Sequence, residues 1–595
     1  MPESVRDDRA TALCRGLALG FSLLSAVVAA ALLAQSVAVD GLQPLDFAAI
    51  LLILLTTAWL SWGAAQSFVG LLPHRAGRAA SPRPGPMPPT VVLLPICNED
   101  PVAAMTRISV MDASCHAAGL DVHFAVLSDT RDPAALEREA REFARLRQRD
   151  GASERFFYRN RTDNRGRKAG NIEDFVRRHG AAYEFAIMLD ADSLMEGQTI
   201  ATLISRMRDE PDLGLLQTLP VVVGARSLFG RAMQFAASFH SPVFARGLAR
   251  MQGRTGPFWG HNAIVRLRAL AECCALPELS GRPPFGGTIM SHDYVEAALL
   301  ARGGWRVTLD ETLSGSFEEG PDNLLSHVRR DRRWCQGNLQ YLRLLNVPDL
   351  RKWSRFVFVQ GIASYLISLF WGVFLVVSVL ATITAPLPNY FPEPNQLFPV
   401  FPDDRTREFV ALCIGIGGLL LLPKIAIFAE AVATRRVACF GGAARAFASV
   451  LSEILLSSLI APVLLMYQSR SVIEVLSGHD GGWPANQRGE GRLTLAEGWI
   501  AGRWIALTGL AVATAVGWLA PALIWWLLPV CVPMMAAPIL IWATSQPRAR
   551  SLFRVPDEID PAPVVAAYRS EMAKREAHAD KPDQVSTKAS DVVRS

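Results

Sequence analysis

The chain carries almost no excess of charge of one sign: 60 Lys and Arg stand against 55 Asp and Glu, a net of +5 over 595 residues. Nucleic-acid binders show a basic excess, so that class gains no support. Cysteine is sparse, and the nine present form no C-x-x-C pair and no His/Cys zinc spacing. Cys273 and Cys274 are adjacent, which is awkward for a structural disulfide. Reduced thiols facing a cytosol are the simpler reading. No internal repeat is apparent.

What is abundant is apolar surface. Half of the residues are hydrophobic and mean hydropathy is positive. Several runs exceed the ~20 apolar residues that cross a bilayer. Residues 17–39 and 47–72 form a first pair of spans, and the first is too long for a signal-peptide core. The link between them, 40–46, has no Lys or Arg, whereas Arg6, Arg9, Arg15, Arg75, Arg78 and Arg83 flank the pair on the other side. The positive-inside bias puts the N-terminal stretch 1–16 and everything after Leu72 in the cytoplasm.

A Pro-rich linker (73–89) leads into a stretch of soluble composition, 90–345. Membrane character returns over 346–544, with runs at 356–384, 409–434, 500–519 and 522–542. The loop 386–407 is Pro-rich and acidic, which suits the outside. Segment 450–467 would make the span count odd; it carries Glu453 and a break at Pro462, so an interfacial or re-entrant helix is expected there. The Gly-rich loop 476–496, with His479 and Trp483, reads as a gate or as a flexible connector. The tail, 545–595, is charged, poor in aromatics and expected to be cytoplasmic and partly disordered.

Within 90–345, apolar runs at 90–96, 122–128, 155–159, 184–190 and 213–219 alternate with longer helical patterns. Such alternation predicts a mostly parallel sheet flanked by helices. Ligands of such sheets bind past the carboxyl ends of strands. One run, YEFAIMLDAD, ends in Asp190 and Asp192. Read blandly this is a strand entering an acidic turn; read chemically it is a carboxylate pair able to hold a divalent cation on a diphosphate. Asp129 (LSDT) ends another strand and could accept a hydrogen bond from a base or ribose. Lys168 (GRKAGN) opens a predicted helix, where it could bind phosphate or be a solvated turn. Gly260, His261 and Asn262 (FWGHN) could floor a sugar or be core. Asp293 (SHDYVEA) is either an N-cap or a general base. Arg330, Arg333 and Trp334 (RRDRRW) offer guanidinium forks for diphosphate and an indole face for a pyranose, or form a basic helix on anionic lipid.

Taken as an ordered set, LLPICNED, LSDT, KAGN, DAD, FWGHN, SHD and RRDRRW resemble the processive family-2 glycosyltransferases, the group that contains cellulose and hyaluronan synthases. SHDYVEAALLARGGWRV, RRDRRWCQGNLQ and GHDGGWPANQRGEG are similar to one family within it, the osmoregulated periplasmic glucan glucosyltransferases of type H. The resemblance implies an α/β GT-A glycosyltransferase domain inserted between α-helical transmembrane segments of a bacterial inner membrane, the catalytic domain being cytoplasmic. It implies β-1,2-glucan synthesis from UDP-glucose with Mg²⁺, or Mn²⁺ in its place. Asp129 would hold the uridine, Lys168 would lie near the nucleotide, Asp190 and Asp192 would serve the metal (Asp192 foremost), and Asp293 would be the base. Arg333 and Trp334 would bind diphosphate and acceptor. The chain departs from the wider pattern at Ser291-His292, where Thr-Glu is usual, and at Arg330, where Gln is usual. Implied partners are the growing glucan, the bilayer, acyl carrier protein and a periplasmic glucan-processing protein. Alternatives are a cellulose-like synthase, a glucosyltransferase loading a lipid phosphate, and a nucleotide-binding transporter or osmosensor. Tyr365, Trp371, Lys424, Glu430 and Glu453 are the expected lining of a glucan path.

Overall fold

The computed structural model describes residues 7–38, 41–73, 85–148, 154–385, 396–398, 405–481, 491–547 and 551–579. Most of the Pro-rich linker, most of the acidic loop 386–407, the centre of the Gly-rich loop with Trp483, and the tail beyond 579 lie outside the described residues.

The apolar runs of the soluble stretch become strands: β1 Thr90–Ile96, β2 His123–Ser128, β3 Phe156–Asn160, β4 Phe185–Met188, β5 Leu194–Met195, β6 Leu213–Thr218, β7 Val221–Val223, β8 Ala263–Arg266, β9 Arg306–Asp310 and β10 Ser316–Glu319. Seven form one sheet in the order β3-β2-β1-β4-β8-β6-β9, and β5-β10-β7 form a small second sheet. In the large sheet β8 alone runs antiparallel to its neighbours. The chain winds outward from β1 to β2 and β3, then crosses back to place β4 on β1's other side. That reversal is the topological switch where such sheets bind ligands, and it brings the segments after Ile96, Ser128 and Met188 to one rim.

Side chains alternate across the strands. Val91 and Leu93 point into a core that continues through Leu300 and Tyr341 to Phe358 and Tyr365 of a long apolar helix. Val92 and Leu94 point into a second core with Met105, Ile108 and Ile204, closed by Val564 and Val565 from the tail. Val564 and Val565 thereby anchor the tail segment on the domain core. Within the tail, Pro563–Ala579 is a helix, and the residues beyond 579 lie outside those described.

Six helices are long and apolar enough to cross a membrane: Arg9–Val37, Pro44–Leu71, Lys352–Thr384, Thr406–Ala433, Ala443–Leu476 and Leu495–Leu519. The expected span at 522–542 is instead a pair, Pro521–Met535 and Ala537–Ser545, bent by 55°. Pro529 and Pro533 remove backbone donors in its first half. The segment expected to be interfacial or re-entrant, 450–467, is the middle of Ala443–Leu476. Along its length that helix touches elements of the α/β domain or next to it. Glu453 lies by His240, Gln468 donates to Asp331 at 3.1 Å, and Glu474 pairs with Arg332 at 3.2 Å. At the other edge of the domain, helices Pro44–Leu71 and Ser241–Gln252 meet backbone to backbone. A methyl on Gly247 would lie 1.9 Å from the Gln66 carbonyl oxygen.

Candidate functional site

A cavity of about 960 Å³ opens at the rim where β1, β2 and β4 end, roofed by helices Leu324–Leu339 and Lys352–Thr384. It is large enough for a nucleotide sugar. Asp129, Lys168, Asp190, Asp293, Arg333 and Trp334, scattered over two hundred positions of sequence, all line it. Gly260, His261 and Arg330 line it as well.

Lys168, Asp190, Gly260 and Asp293 lie side by side at its centre. Lys168 sits in the first turn of helix Arg167–His179, entered through Gly166 at φ +70°. Its ammonium bonds the Asp190 carboxylate and donates to the Gly260 carbonyl at 2.7 Å. Gly260, at φ +83°, packs on Asp293: a Cβ there would lie 3.6 Å from its Oδ2. Asp293 lies in the first turn of helix His292–Arg302. Burial pushes its carboxyl above the ordinary value, against the pull of His292 and Lys168. Burial also opposes charge on His292, but Glu296, 3.2 Å away, outweighs it and the imidazole is raised. A raised carboxyl in a cleft is the property a general base needs.

Asn262 does not reach the cavity. It is fully buried and donates to Ser316 Oγ and the Phe317 carbonyl, tying the large sheet to the small one. Asp192 is only 6 % exposed and is not among the residues lining the cavity, whereas Asp190 lines it; both lie close enough to act on Glu318. Asp129 faces the cavity, but its carboxylate is forked by Arg161 at 2.5 and 2.8 Å and accepts from Asn171 at 2.8 Å. It therefore holds a loop that brings Asn164 and Arg167 to the cavity wall.

Arg330 stacks on Trp334, its guanidinium carbon 4.4 Å from the ring centroid, so the residue in the Gln position fixes the indole. Arg332 points away: it donates to the His479 carbonyl at 2.9 Å and pairs with Glu474. Gln336 donates to Asp480 at 2.7 Å. The start of the Gly-rich loop is thereby pinned to the arginine-bearing helix.

Sequence reasoning missed Glu318. It lines the cavity opposite His261 at 3.4 Å, and its carboxyl is raised by burial and by Asp192 and Asp190, against His261 and Arg330. In sequence, SFEE reads as an edge strand with solvated acids, so no signal marked it. Cys97 was also passed over; burial pushes its thiol up to about 11, leaving it a poor nucleophile.

Among the described residues no group of three His, Cys, Asp or Glu side chains is arranged to hold a metal ion. Asp190 at the cavity wall, with Asp192 buried two residues on, supplies the one or two carboxylates that Mg²⁺ takes when diphosphate and water fill the rest of its shell.

The cavity extends beyond the domain. Trp59 and Gln66 of Pro44–Leu71, and Gln360, Ser364 and Tyr365 of Lys352–Thr384, continue its wall between the apolar helices. Of the side chains expected there, only Tyr365 lines it. Trp371 packs edge-on to Phe374 at 5.7 Å. Lys424 bonds Glu453 at 2.6 and 2.9 Å, and Glu430 pairs with Arg436 at 3.1 Å. Lys424 and Glu453 thus pair with each other and Glu430 with Arg436 of the next short helix, while Gln66, Gln360, Ser364 and Tyr365 line the cavity.

The family profile described as "Glycosyl transferase family group 2" matches residues 185–428. A protein of Cereibacter sphaeroides named "Glucans biosynthesis glucosyltransferase H" is 53 % identical over 96 % of this chain and 97 % of its own length. Proteins of the same name from Rhodopseudomonas palustris and Vibrio cholerae are 42 % and 36 % identical, over 84 % and 93 % of this chain and 69 % and 78 % of theirs. Among solved structures, the mannosyltransferase PcManGT from Pyrobaculum calidifontis in complex with GDP-Man and Mn²⁺ aligns at 17 % identity and TM-score 0.41, over 63 % of this chain and 99 % of that one.

Proposed function

The chain belongs to the glucans biosynthesis glucosyltransferase H family of family-2 glycosyltransferases, and from that premise we propose that it builds a linear β-1,2-glucan from UDP-glucose at the cytoplasmic face of the inner membrane and moves it across the membrane. The observation that supports this reading best is continuity. One cavity holds Asp190, Lys168, Asp293 and Trp334 and runs on between Pro44–Leu71 and Lys352–Thr384.

In the mechanism, the uridine end lies toward Asp129 and Arg167 and the sugar toward Asp293 and Trp334. Asp190 and Asp192 would hold the cation, which when bound supplies charge neutralisation for the leaving diphosphate. Lys168 stands beside Asp190, and Arg333 adds a second cationic wall to the departing UDP. The indole of Trp334, held by Arg330, seats the acceptor's terminal sugar. Asp293 accepts the proton of the acceptor hydroxyl as its oxygen attacks the anomeric carbon opposite the leaving group. One displacement inverts that centre, so α-linked donor gives β-linked product.

For the membrane, we read Ala443–Leu476 as lying at the interface despite its apolar length, because contacts near both its ends are to the α/β domain and its neighbours. Five straight spans and the bent pair then make an even count, with both ends cytoplasmic. Acyl carrier protein and a periplasmic processing protein act, in this reading, outside the reacting site. The test is incubation of purified protein with labelled UDP-glucose and Mg²⁺, followed by linkage and size analysis. A β-1,2 polymer is expected. Lipid-linked single glucose or a 1,4-linked polymer would overturn the reading.

A further inference from the structure

The segment between the two site carboxylates is held from behind by a residue outside every motif. Arg107, on helix Pro101–Ala117 and 5 % exposed, donates to the Ala191 carbonyl at 2.9 Å and to Glu319 at 2.7 Å. Ala191 is the residue between Asp190 and Asp192, and Glu319 follows the cavity-lining Glu318. One guanidinium therefore cross-links the two strand-end segments that bring carboxylates to the site. A guanidinium keeps two such bonds only while its plane is fixed. The third contact fixing it comes from the far end of the chain. The Tyr568 ring lies against it, with the Arg107 Cζ 4.6 Å from the ring centroid. Tyr568 sits on helix Pro563–Ala579, which is seated by buried Val564 and Val565 and tethered by an Arg575–Glu142 bond of 2.7 Å.

We propose that Tyr568 and Arg107 are positioning residues for glucosyl transfer: the tail helix locks the Arg107 fork, and the fork sets the orientation of the Asp190-Ala191-Asp192 peptides. The proposal rests on the reading that this segment serves the donor diphosphate. The carbonyl Arg107 holds belongs to the Ala191–Asp192 peptide, so rotation of that peptide turns Asp192 directly and shifts the backbone that carries Asp190. A stack on a buried guanidinium is worth a factor of about three to ten in the populated geometry.

The test compares Tyr568→Ala, Tyr568→Phe and Arg575→Ala with the wild type in the full-length protein. Hydrogen exchange at the amides of 190–195, measured without substrate, should rise about three- to tenfold in Tyr568→Ala. It should stay at the wild-type rate in Tyr568→Phe, which keeps the ring face, and in Arg575→Ala, which loses only a tether. In turnover, Tyr568→Ala should raise the KM for UDP-glucose by a similar factor with a smaller change in kcat, and Tyr568→Phe should restore it. Wild-type exchange at 190–195 in Tyr568→Ala, or an equal rise in Arg575→Ala, would overturn the proposal, the latter by reducing the helix to general packing. A wild-type protein inert toward UDP-glucose would overturn the donor assignment instead, and the exchange data would still decide the coupling.

Discussion

Gly260→Ala separates the chemistry of Asp293 from its packing. Gly260 holds φ +83°, a conformation that costs an L-residue roughly 1–2 kcal/mol. The added methyl would sit 3.5 Å from the Asp293 Cβ and 3.6 Å from its Oδ2, an ordinary contact without a clash. It would, however, displace solvent from a carboxyl that burial already raises. Further desolvation favours the protonated form. The base must be ionised to accept a proton, so activity is present above its pKa and is lost as pH falls through it. The acid limb of the kcat/KM profile should therefore move to higher pH in Gly260→Ala, with near wild-type rates on the alkaline side. Gly281→Ala is the control: φ +91° imposes the same backbone cost, but the nearest atom to its new methyl is Arg343 Nη2 at 3.8 Å. It should lower the unfolding temperature about as much and leave the acid limb in place. An unmoved acid limb in Gly260→Ala, or equal shifts in both variants, would refute the reasoning.

Two further outcomes follow from the same contacts. Trp334→Ala removes the face that Arg330 stacks on at 4.4 Å; it should weaken acceptor use roughly 5- to 30-fold and shorten the polymer, with the donor KM unchanged and Trp334→Phe intermediate by product sizing. Arg231→Met leaves Glu558, whose side chain is only 9 % exposed, without its ion-pair partner. It should cost about 3–5 kcal/mol in thermal unfolding, and Glu558→Gln in the same chain should restore part of that loss.

The strand ends were legible because each is an unbroken apolar run closed by a polar residue, as at 90–96 and 184–190. The alternation with helices pointed to a mostly parallel sheet with its site past the strand ends, where Asp190, Lys168 and Asp293 meet, whereas the strand order and the antiparallel β8 were not legible. What stayed hidden depends on contacts between distant segments. Asp129 reads as a free acceptor until Arg161 is seen forked onto it. Lys424 and Glu453 read as pore lining because charge in a span demands a polar partner; that partner is each of them for the other. Glu318 is indistinguishable in sequence from Glu319, and strand pleating alone sends one to the cavity and the other to Arg107. Composition gave no sign that part of the tail, Pro563–Ala579, is a helix seated by Val564, Val565 and Tyr568.

The central claim is that Asp293 takes the acceptor proton in a cleft shared with the nucleotide. Its most direct test is Asp293→Asn, assayed for UDP binding and for glucose transfer on one preparation. The account predicts wild-type affinity for UDP with transfer abolished. Residual transfer near the wild-type rate, or loss of UDP binding together with activity, would contradict it.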